Sequence, residues 1–424
     1  MEAYATALTY AIPAFMILIL IEEIFGRYKG VYVNRDMDTV SSLSSGMTNV
    51  MKSVLGLSII IISYDWMVGH LALFSIDNTI LVYVLCFIGL DFVGYWSHRF
   101  DHIINVFWNR HIIHHSSEEF NLACALRQSI SAVVSIYFFL YIPMALIGIP
   151  TEVVALMAPL HLFAQFWYHT RLIDKMGILE HVLVTPSHHR VHHAINKEYL
   201  DKNFSQIFIV WDKWFGTFQE ELPEKPPVYG IKKQAKTWNP FIINYMHLWQ
   251  IMVDAWRTKS WWDKIRIWFM PTGWRPEDVS QKYPIEYIDD AYTQIKYDSR
   301  PGPLLRVWTW VQLVVHFVLL YYVLYNIAQF TFLDVLLYCG WLAISIFAYT
   351  SLMDKSPIAL PFEMLKLITG IALMYYTSGW FNAQEYFVYA PHIIATYIAF
   401  SAGISLVILQ KKGQGLKATL SPLR

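Results

Sequence analysis

Long apolar stretches, separated by polar segments, dominate the pattern along the chain. A helix needs about 20 apolar residues to cross a bilayer. Nine stretches approach or exceed that length, with no strand pattern of useful length between them, and they are 4–21, 54–74, 79–97, 129–149, 152–169, 304–330, 332–353, 359–380 and 387–409. The pattern predicts an all-α fold, a polytopic integral membrane helix bundle with about nine spans.

The composition agrees with a membrane protein. The chain is 56% hydrophobic and 17% aromatic, and its formal net charge is zero, unlike an ordinary soluble domain. The segment 238–276 is rich in Trp interleaved with Arg and Lys. In a neutral, apolar chain we interpret it as helices lying in the headgroup layer, and we expect no nucleic acid partner.

Charges in the loops predict the orientation of the chain. Basic residues follow the first span and also occupy the C-terminal tail, and they are Arg27, Lys29, Arg35, Lys52, Lys411, Lys412, Lys417 and Arg424. The turns near Asp77 and Thr151 carry no Lys or Arg. The positive-inside rule then places the N-terminus outside, and the C-terminus and the loops 98–128 and 170–303 in the cytoplasm. We expect a multi-pass protein of the bacterial inner membrane or the endoplasmic reticulum.

Histidines form three clusters in this oily chain. They read HRFDH, HIIHH and HHRVHH, and contain His98, His102, His111, His114, His115, His188, His189, His192 and His193. On a helix, residues three and four apart share one face. Neutral imidazole is the commonest side-chain metal ligand. The spacing therefore predicts a metal site, and the loop charges place it at the cytoplasmic ends of the spans.

The number of imidazoles bears on which metal is bound. A tetrahedral zinc site needs only four ligands, so eight or more imidazoles imply two metals or an additional layer of supporting histidines. No Glu in the chain is followed by His three residues later, which excludes the Glu-x-x-His scaffold of soluble di-iron bundles. Iron is favoured over redox-silent zinc if the site activates O2 beside a lipid chain.

The ordered pattern H-x3-H, H-x2-H-H, H-x2-H-H between membrane spans resembles the fatty acid hydroxylase / sterol desaturase superfamily of membrane di-iron oxygenases. The runs HIIHHSSEEFNLACALRQS and TPSHHRVHH, with the later DKNFSQIFIVWDKWFGTFQEE, are most similar to its alkylglycerol monooxygenase-type members. One position departs from that branch, because Ile103 stands where those members have an acidic residue. Neither an ether-lipid substrate nor a pterin reductant therefore follows from the resemblance.

The resemblance implies a set of iron ligands, namely His98, His102, His111, His114, His115, His189, His192 and His193. His169 ends the fifth predicted span in FWYHT, and we expect it to face the same site. His188 is either a ligand or a partner of one. His161 lies deeper in that span and is rotated away from His169, so we expect it to face a pore or to bond to a helix.

Several other polar residues lie close to these clusters. Asp91, about 10 Å below His98 on nearly the same helix face, is a candidate catalytic residue that could orient a ligand or bind a headgroup. Its alternative role is a hydrogen bond to Tyr95 or to a neighbouring helix.

Asp201 and Asn203 could support imidazole N–H groups or simply turn the chain. We expect Glu118 and Glu119 to be solvated, and the aromatic run Trp211–Thr217 to pack at the membrane interface. The isolated histidines are expected to be structural or interfacial, and they are His70, His181, His247, His316 and His392.

These observations lead to a functional hypothesis. The chain is expected to be an oxidoreductase, an O2-dependent di-iron hydroxylase or monooxygenase that acts on a fatty-acyl, ether-lipid or sterol chain, with desaturation as the close alternative. Two iron ions would be the cofactors. A His-lined metal transporter or a non-catalytic membrane scaffold are the alternatives from other classes. Transporters place their ligands near the bilayer midplane, whereas these clusters follow the ends of spans.

Electrons for such chemistry must come from outside the chain. The sequence has no Gly-rich dinucleotide fingerprint and no cysteine pattern for haem or iron–sulfur clusters. The donor would be a cytoplasmic reductase, ferredoxin or cytochrome in an NAD(P)H-linked chain, or tetrahydrobiopterin. We divide the chain into N-terminal spans (1–97), a di-iron domain with a cytoplasmic cap and interfacial helices (98–303), and a C-terminal helix block without clustered ionisable groups (304–424).

Overall fold

The computed structural model describes residues 2–76 and 79–419, which are mostly helical. The α-helices, numbered in chain order, are α1 (Glu2–Tyr28), α2 (Asp36–Val54), α3 (Tyr64–Leu71), α4 (Ile80–Ile103), α5 (Asn105–Trp108), α6 (Ile112–His115), α7 (Ile142–Leu146), α8 (Thr151–Phe163), α9 (Pro186–His192), α10 (Val210–Trp214), α11 (Pro240–Arg257), α12 (Trp261–Arg266), α13 (Glu277–Lys282), α14 (Pro303–Tyr325), α15 (Phe332–Met353), α16 (Ala359–Tyr376) and α17 (Ala390–Thr419). Strands β1 (Ile59–Ile60) and β2 (Val134–Ser135) form one short parallel pair. The predicted all-α class is confirmed.

Six helices within the described ranges are long and apolar enough to cross a membrane, and they are Tyr4–Tyr28, Ile80–Ile103, Pro303–Tyr325, Phe332–Met353, Ala359–Tyr376 and Ala390–Gln410. They correspond to six of the nine predicted spans, so the protein is a multi-pass membrane protein. The count of nine is not confirmed. The cytoplasmic orientation remains a prediction as well. Among the residues used for it, Asp77, Arg424 and the side chains of Lys411, Lys412 and Lys417 lie outside the described residues.

Three predicted spans form shorter pieces, of which α7 and α8 pack against α4, while α3 packs against α7 and α8. The stretch 54–74 contains β1 and the eight-residue α3, the stretch 129–149 contains β2, a 3-10 turn and α7, and α8 has only 13 residues. The pieces are tied together by the β1–β2 pair and by a 2.8 Å bond from Leu73 N to Leu146 O. Hydropathy counts apolar residues but does not show where a helix breaks.

The break between α7 and α8 has a specific cause. Gly148 has a φ of +77°, and a Cβ at this position would lie 2.0 Å from the carbonyl oxygen of Phe74. Only glycine fits such a turn without strain. Pro150 follows directly and has no N–H to continue a helix. This turn therefore lets α8 run back towards the histidines.

Helix α2 is polar although most of its residues are buried. It packs against α14 and α15 on one side and against the 3-10 turn Cys124–Leu126 on the other. Ser44 Oγ lies 2.5 Å from Tyr349 Oη on α15, and Ser42 Oγ accepts a 2.9 Å bond from Arg127. Helix α2 therefore joins the C-terminal block to the region of the histidines.

The C-terminal block contains a buried ion pair, so the prediction that it lacks clustered ionisable groups is wrong. Glu363 and Lys366 are fully buried, and their charged atoms lie 3.7 Å apart on one turn of α16. Lys366 Nζ also donates to Ser401 Oγ at 2.8 Å, to Tyr397 Oη at 3.2 Å and to Gln312 Oε1 at 3.4 Å. The ion pair therefore links α14, α16 and α17.

Candidate metal centre

Nine histidines converge where helices α4, α6 and α9 meet the segment after α8. Helix α4 presents His98 and His102 one turn apart, while α6 and α9 contribute the triplets predicted from the sequence. The side chains form two groups of potential ligands, and in each group the ligand nitrogens lie within 4.8 Å of one another. The first group is His98, His102, His111, His115 and His192, and the second group is His114, His169, His189 and His193.

The Nε2 atoms within each group are spaced as metal ligands would be. In the first group, the pairs His98–His111, His102–His115 and His192–His115 are separated by 2.9, 3.1 and 3.1 Å. In the second group, the pairs His189–His169, His193–His189 and His169–His114 are separated by 2.9, 3.1 and 3.3 Å. Two nitrogens that ligate one ion from about 2.1 Å at a right angle are about 3.0 Å apart. The spacing fits one ion per group.

Hydrogen bonds on the far side of the rings set the tautomers. The Nδ1 atoms of His98, His192, His114 and His169 lie 2.7, 2.9, 3.2 and 3.1 Å from backbone carbonyl oxygens, which can only accept. A neutral imidazole has one N–H, so these four rings point the lone pair of Nε2 into the groups. His169 and His114 then face each other lone pair to lone pair, an arrangement that a cation between them would stabilise.

Burial keeps these rings neutral. It lowers the pKa of His114 to about 3, with the neighbouring His98 adding to the effect. Burial is also the main reason that the pKa values of His115 and His193 lie well below the usual value, and adjacent histidines contribute. Metal ligation requires the neutral form. The residues present therefore fit two metal ions.

Two buried aspartates hold the loop that supplies some of these carbonyl oxygens. Asp212 accepts from the backbone N–H groups of Phe204 and Ser205, both at 2.8 Å. Asp91 accepts from those of Ile207 and Phe208 at 2.8 and 2.9 Å. The carbonyl of Phe204 accepts from His98. Asp212 was not predicted to matter, because its run WDKWFGT was interpreted as interfacial packing.

The contacts of Asp91 favour its structural alternative. Besides the two loop amides, its carboxylate accepts from Trp211 Nε1 at 2.8 Å and from His161 Nε2 at 2.9 Å. Four donors saturate both oxygens, and none of them is a grouped histidine. His161 therefore bonds to a neighbouring helix, one of its two predicted roles. The structure gives Asp91 no contact with the ligand nitrogens, so we interpret it as a positioning residue rather than a catalytic one.

On the opposite side of the site, a buried ion pair supports the second group. Arg127 Nη2 lies 3.0 Å from Asp38 Oδ2, and both side chains are almost fully buried. The carbonyl of Arg127 accepts from His114 Nδ1, and its guanidinium donates to Ser116 Oγ at 2.8 Å. Sequence reasoning missed this pair, since nothing in a linear pattern connects residues in α2 with the loop after α6.

The structure does not bring His188 into either group. Its Nδ1 completes the N-terminal cap of α9 with Thr185, and its Nε2 lies 3.8 Å from Glu180. It points away because it sits at the start of α9, one position before the triplet. Asp201 Oδ1 lies 3.5 Å from His102 Nδ1, which is longer than an ordinary hydrogen bond. Asn203 instead bonds to the carbonyls of His188 and Gln219, its chain-turning alternative.

Glu118 and Glu119 are buried, so the prediction that they are solvated is wrong. Glu119 lies 2.6 Å from Lys296 and 3.1 Å from Arg171, and Glu118 accepts from Tyr297 N at 2.6 Å. These contacts attach the segment before α14 to the region that follows the second histidine cluster.

The isolated His70, His247 and His316 bond to Trp66 O, Asn105 O and Ser345 Oγ, which agrees with structural roles.

Comparison with known proteins agrees with this geometry. Residues 83–217, which contain all nine grouped histidines, match the family model described as fatty acid hydroxylase. The chain is 33% identical over 371 residues to alkylglycerol monooxygenase from Homo sapiens, covering 87% of this chain and 82% of that protein. For the Xenopus tropicalis enzyme of that name, identity is 32% over 369 residues, covering 85% and 80%.

A more distant relative is a bacterial lipid hydroxylase. The chain is 26% identical over 159 residues to ornithine lipid hydroxylase OlsE from Rhizobium tropici, covering 38% of this chain and 47% of that protein. No solved structure gave a significant match.

Proposed function

This chain belongs to the fatty acid hydroxylase family, and we propose that it is a di-iron monooxygenase that hydroxylates a membrane lipid. Membership of the family and the monooxygenase relatives make the protein an oxidoreductase. One observation carries the proposal of two irons, namely the division of nine imidazoles, eight of them buried, into two groups into which at least four rings direct their Nε2 lone pairs. We propose the nine grouped histidines as the ligands and leave out His188 and Asp91.

Each part of the chain has a defined task in this proposal. The first and second groups would each hold one iron ion, and bound iron would supply O2 activation and redox chemistry. The carbonyl oxygens of Phe204, Lys202 and Arg127 keep Nδ1 protonated in their partner histidines. Oriented ligands of this kind raise metal affinity. Burial of the groups limits the access of bulk water to the reacting centre.

The substrate and the electron donor belong to the same proposal. Relatives named alkylglycerol monooxygenase and ornithine lipid hydroxylase support a lipid substrate and hydroxylation over desaturation. We infer O2 as co-substrate and an external donor, either a cytoplasmic reductase, ferredoxin or cytochrome linked to NAD(P)H, or tetrahydrobiopterin. The loop charges support a centre that faces the cytoplasm.

Iron content and lipid oxidation test the proposal together. Wild type, His114→Ala and the exposed control His181→Ala are loaded anaerobically with iron, and metal is measured per chain. Cells that express each form are then grown under 18O2, and their lipids are profiled. We expect two irons and an 18O-labelled lipid with wild type and His181→Ala, but less iron and at least about 100-fold less product with His114→Ala. Full iron in His114→Ala, or wild type that retains zinc and labels no lipid, would refute the proposal.

A further inference from the structure

A cavity of about 390 Å³ lies against the first group of histidines. Its inner wall includes His102, His115 and His192, and His193 of the second group also lines it. Its opposite wall comes from α11 and from two segments, residues 230–233 before α11 and residues 272–275 after α12. The cavity therefore lies between α11 and the metal centre. It is large enough for a small polar molecule or one end of a lipid.

Helix α11 has two different faces. Met246, His247, Gln250, Ile251 and Asp254 line the cavity. The outer face exposes large apolar side chains instead, and these are Ile242, Tyr245, Trp249, Met252 and Trp256. The period of three to four residues is that of an amphipathic helix, but here the polar side chains point inward and the apolar ones outward.

The outer face of α11 continues into α12. Trp261 and Trp262 are 79% and 64% exposed, Trp256 is 86% exposed, and Ile265 and Phe269 extend the apolar surface. Trp is typical of the membrane interface, and an apolar patch of this kind marks a binding surface. The basic residues between these aromatics would meet anionic headgroups. These features favour a position of α11 in the headgroup layer, between the bilayer and the cavity.

The charged side chains that line the cavity carry a net charge of +1, because Lys232, Lys233 and Arg275 are opposed by Asp201 and Asp254. Arg275 is paired with Asp254 through bonds of 2.6 and 3.0 Å, so these two charges cancel. Lys232 and Lys233 also line the cavity, and within the described part of the chain neither ammonium has a carboxylate oxygen within 4.0 Å. Lys233 Nζ donates to the neutral Gln250 at 2.8 Å. The excess positive charge and the two lysines without a carboxylate partner favour an anionic ligand.

We propose that this cavity binds the anionic headgroup of a membrane lipid, which enters from the headgroup layer past α11. Lys232 and Lys233 hold the phosphate or carboxylate, and the adjoining part of the lipid lies against the first histidine group. The inference rests on the proposed function, because it assigns the polar end of the substrate of that centre. A soluble anion would offer the same charge, so the test separates the two sources.

Binding of defined probes to the iron-loaded full chain in detergent tests the lysines. The probes are dioctanoyl phosphatidate, dioctanoyl phosphatidylcholine and inorganic phosphate, measured by calorimetry. We expect phosphatidate to bind more tightly than the other two, and Lys232→Gln/Lys233→Gln to weaken it at least about tenfold. The control Lys236→Gln/Lys282→Gln changes exposed lysines outside the cavity and should bind as wild type does. Equal loss in both double variants, or equally tight binding of inorganic phosphate, would overturn the lipid assignment.

Substitutions at two neighbouring positions of α11 test whether the lipid occupies the cavity. Ile251→Trp fills the cavity, whereas Met252→Trp adds the same side chain to the outer face. We expect Ile251→Trp to abolish phosphatidate binding at unchanged iron content, and Met252→Trp to retain it. Binding that survives in Ile251→Trp would place the lipid elsewhere. If wild type holds no iron but still binds phosphatidate through the two lysines, the proposed function is refuted. The proposed headgroup site is then retained.

Discussion

The histidine centre and the C-terminal helix block both bury polar side chains, yet they do so in opposite ways. In the block, donors meet acceptors, since the Lys366 ammonium has three neutral oxygens and the Glu363 carboxylate around it. In the centre, acceptors meet acceptors, since His114 and His169 direct Nε2 lone pairs at each other across 3.3 Å. The first arrangement is nearly complete, and the second needs a cation.

The difference shows how to interpret ionisable residues in a membrane protein. Such residues are costly in a bilayer and mark function by default. In the C-terminal block the pair instead has the contacts of a link between helices, although Glu363 Oε1 has no partner among the described residues. Burial alone therefore does not identify a site. Whether the buried groups satisfy one another distinguishes a helix contact from a ligand set.

We expect the largest effect on stability when the ion pair between Glu363 and Lys366 is broken. Lys366→Met leaves Glu363 buried without its cation, and we expect a loss of about 3–5 kcal/mol in the free energy of unfolding. Glu363→Gln/Lys366→Met removes both charges and should recover most of that loss. Denaturant titration in detergent measures the stability of each form.

Iron content gives the control for this experiment. If the block only holds helices together, the double variant should keep the iron content and the lipid oxidation that we propose for wild type. A double variant that is stable but cannot oxidise lipid would contradict this interpretation and give the pair a role in the reaction.

The sequence predicted the centre better than the block. The pair on α4, the repeated triplets on α6 and α9 and the position of His169 at the end of an apolar segment pointed to the nine histidines that the structure brings together, because helical spacing fixes which side chains share a face. Glu363 and Lys366 are also one turn apart, but a single pair within an apolar stretch gives no sign of its partners. Three spans were predicted too long because hydropathy does not respond to a turn such as that at Gly148.

A smaller effect is expected from a substitution in the loop that supports the histidines rather than in the histidines themselves. Asp212→Asn keeps the size of the side chain but replaces one acceptor oxygen with an amide that cannot accept from Ser205 N. We expect the loop to shift, the carbonyl of Phe204 to hold His98 less well, and the Kd for iron to rise about 10–100-fold. Competition with a chelator measures it. Asp289→Asn, at an exposed side chain, is the control and should leave the Kd unchanged. Equal Kd values for Asp212→Asn and wild type would show that the loop does not orient the ligand.

The smallest expected effect lies where the two regions meet. Tyr349 on α15 bonds to Ser44 on α2 at 2.5 Å, and α2 also carries Asp38, the partner of Arg127. Tyr349→Phe should cost about 1 kcal/mol of stability, and the exposed control Tyr375→Phe should cost almost nothing. Because Ser44 also donates to Val40 O at 2.6 Å, α2 keeps its local geometry and iron content should not change. Loss of iron in Tyr349→Phe would mean that the C-terminal block helps to position the second group. The stability of the block and iron binding at the centre would then be coupled.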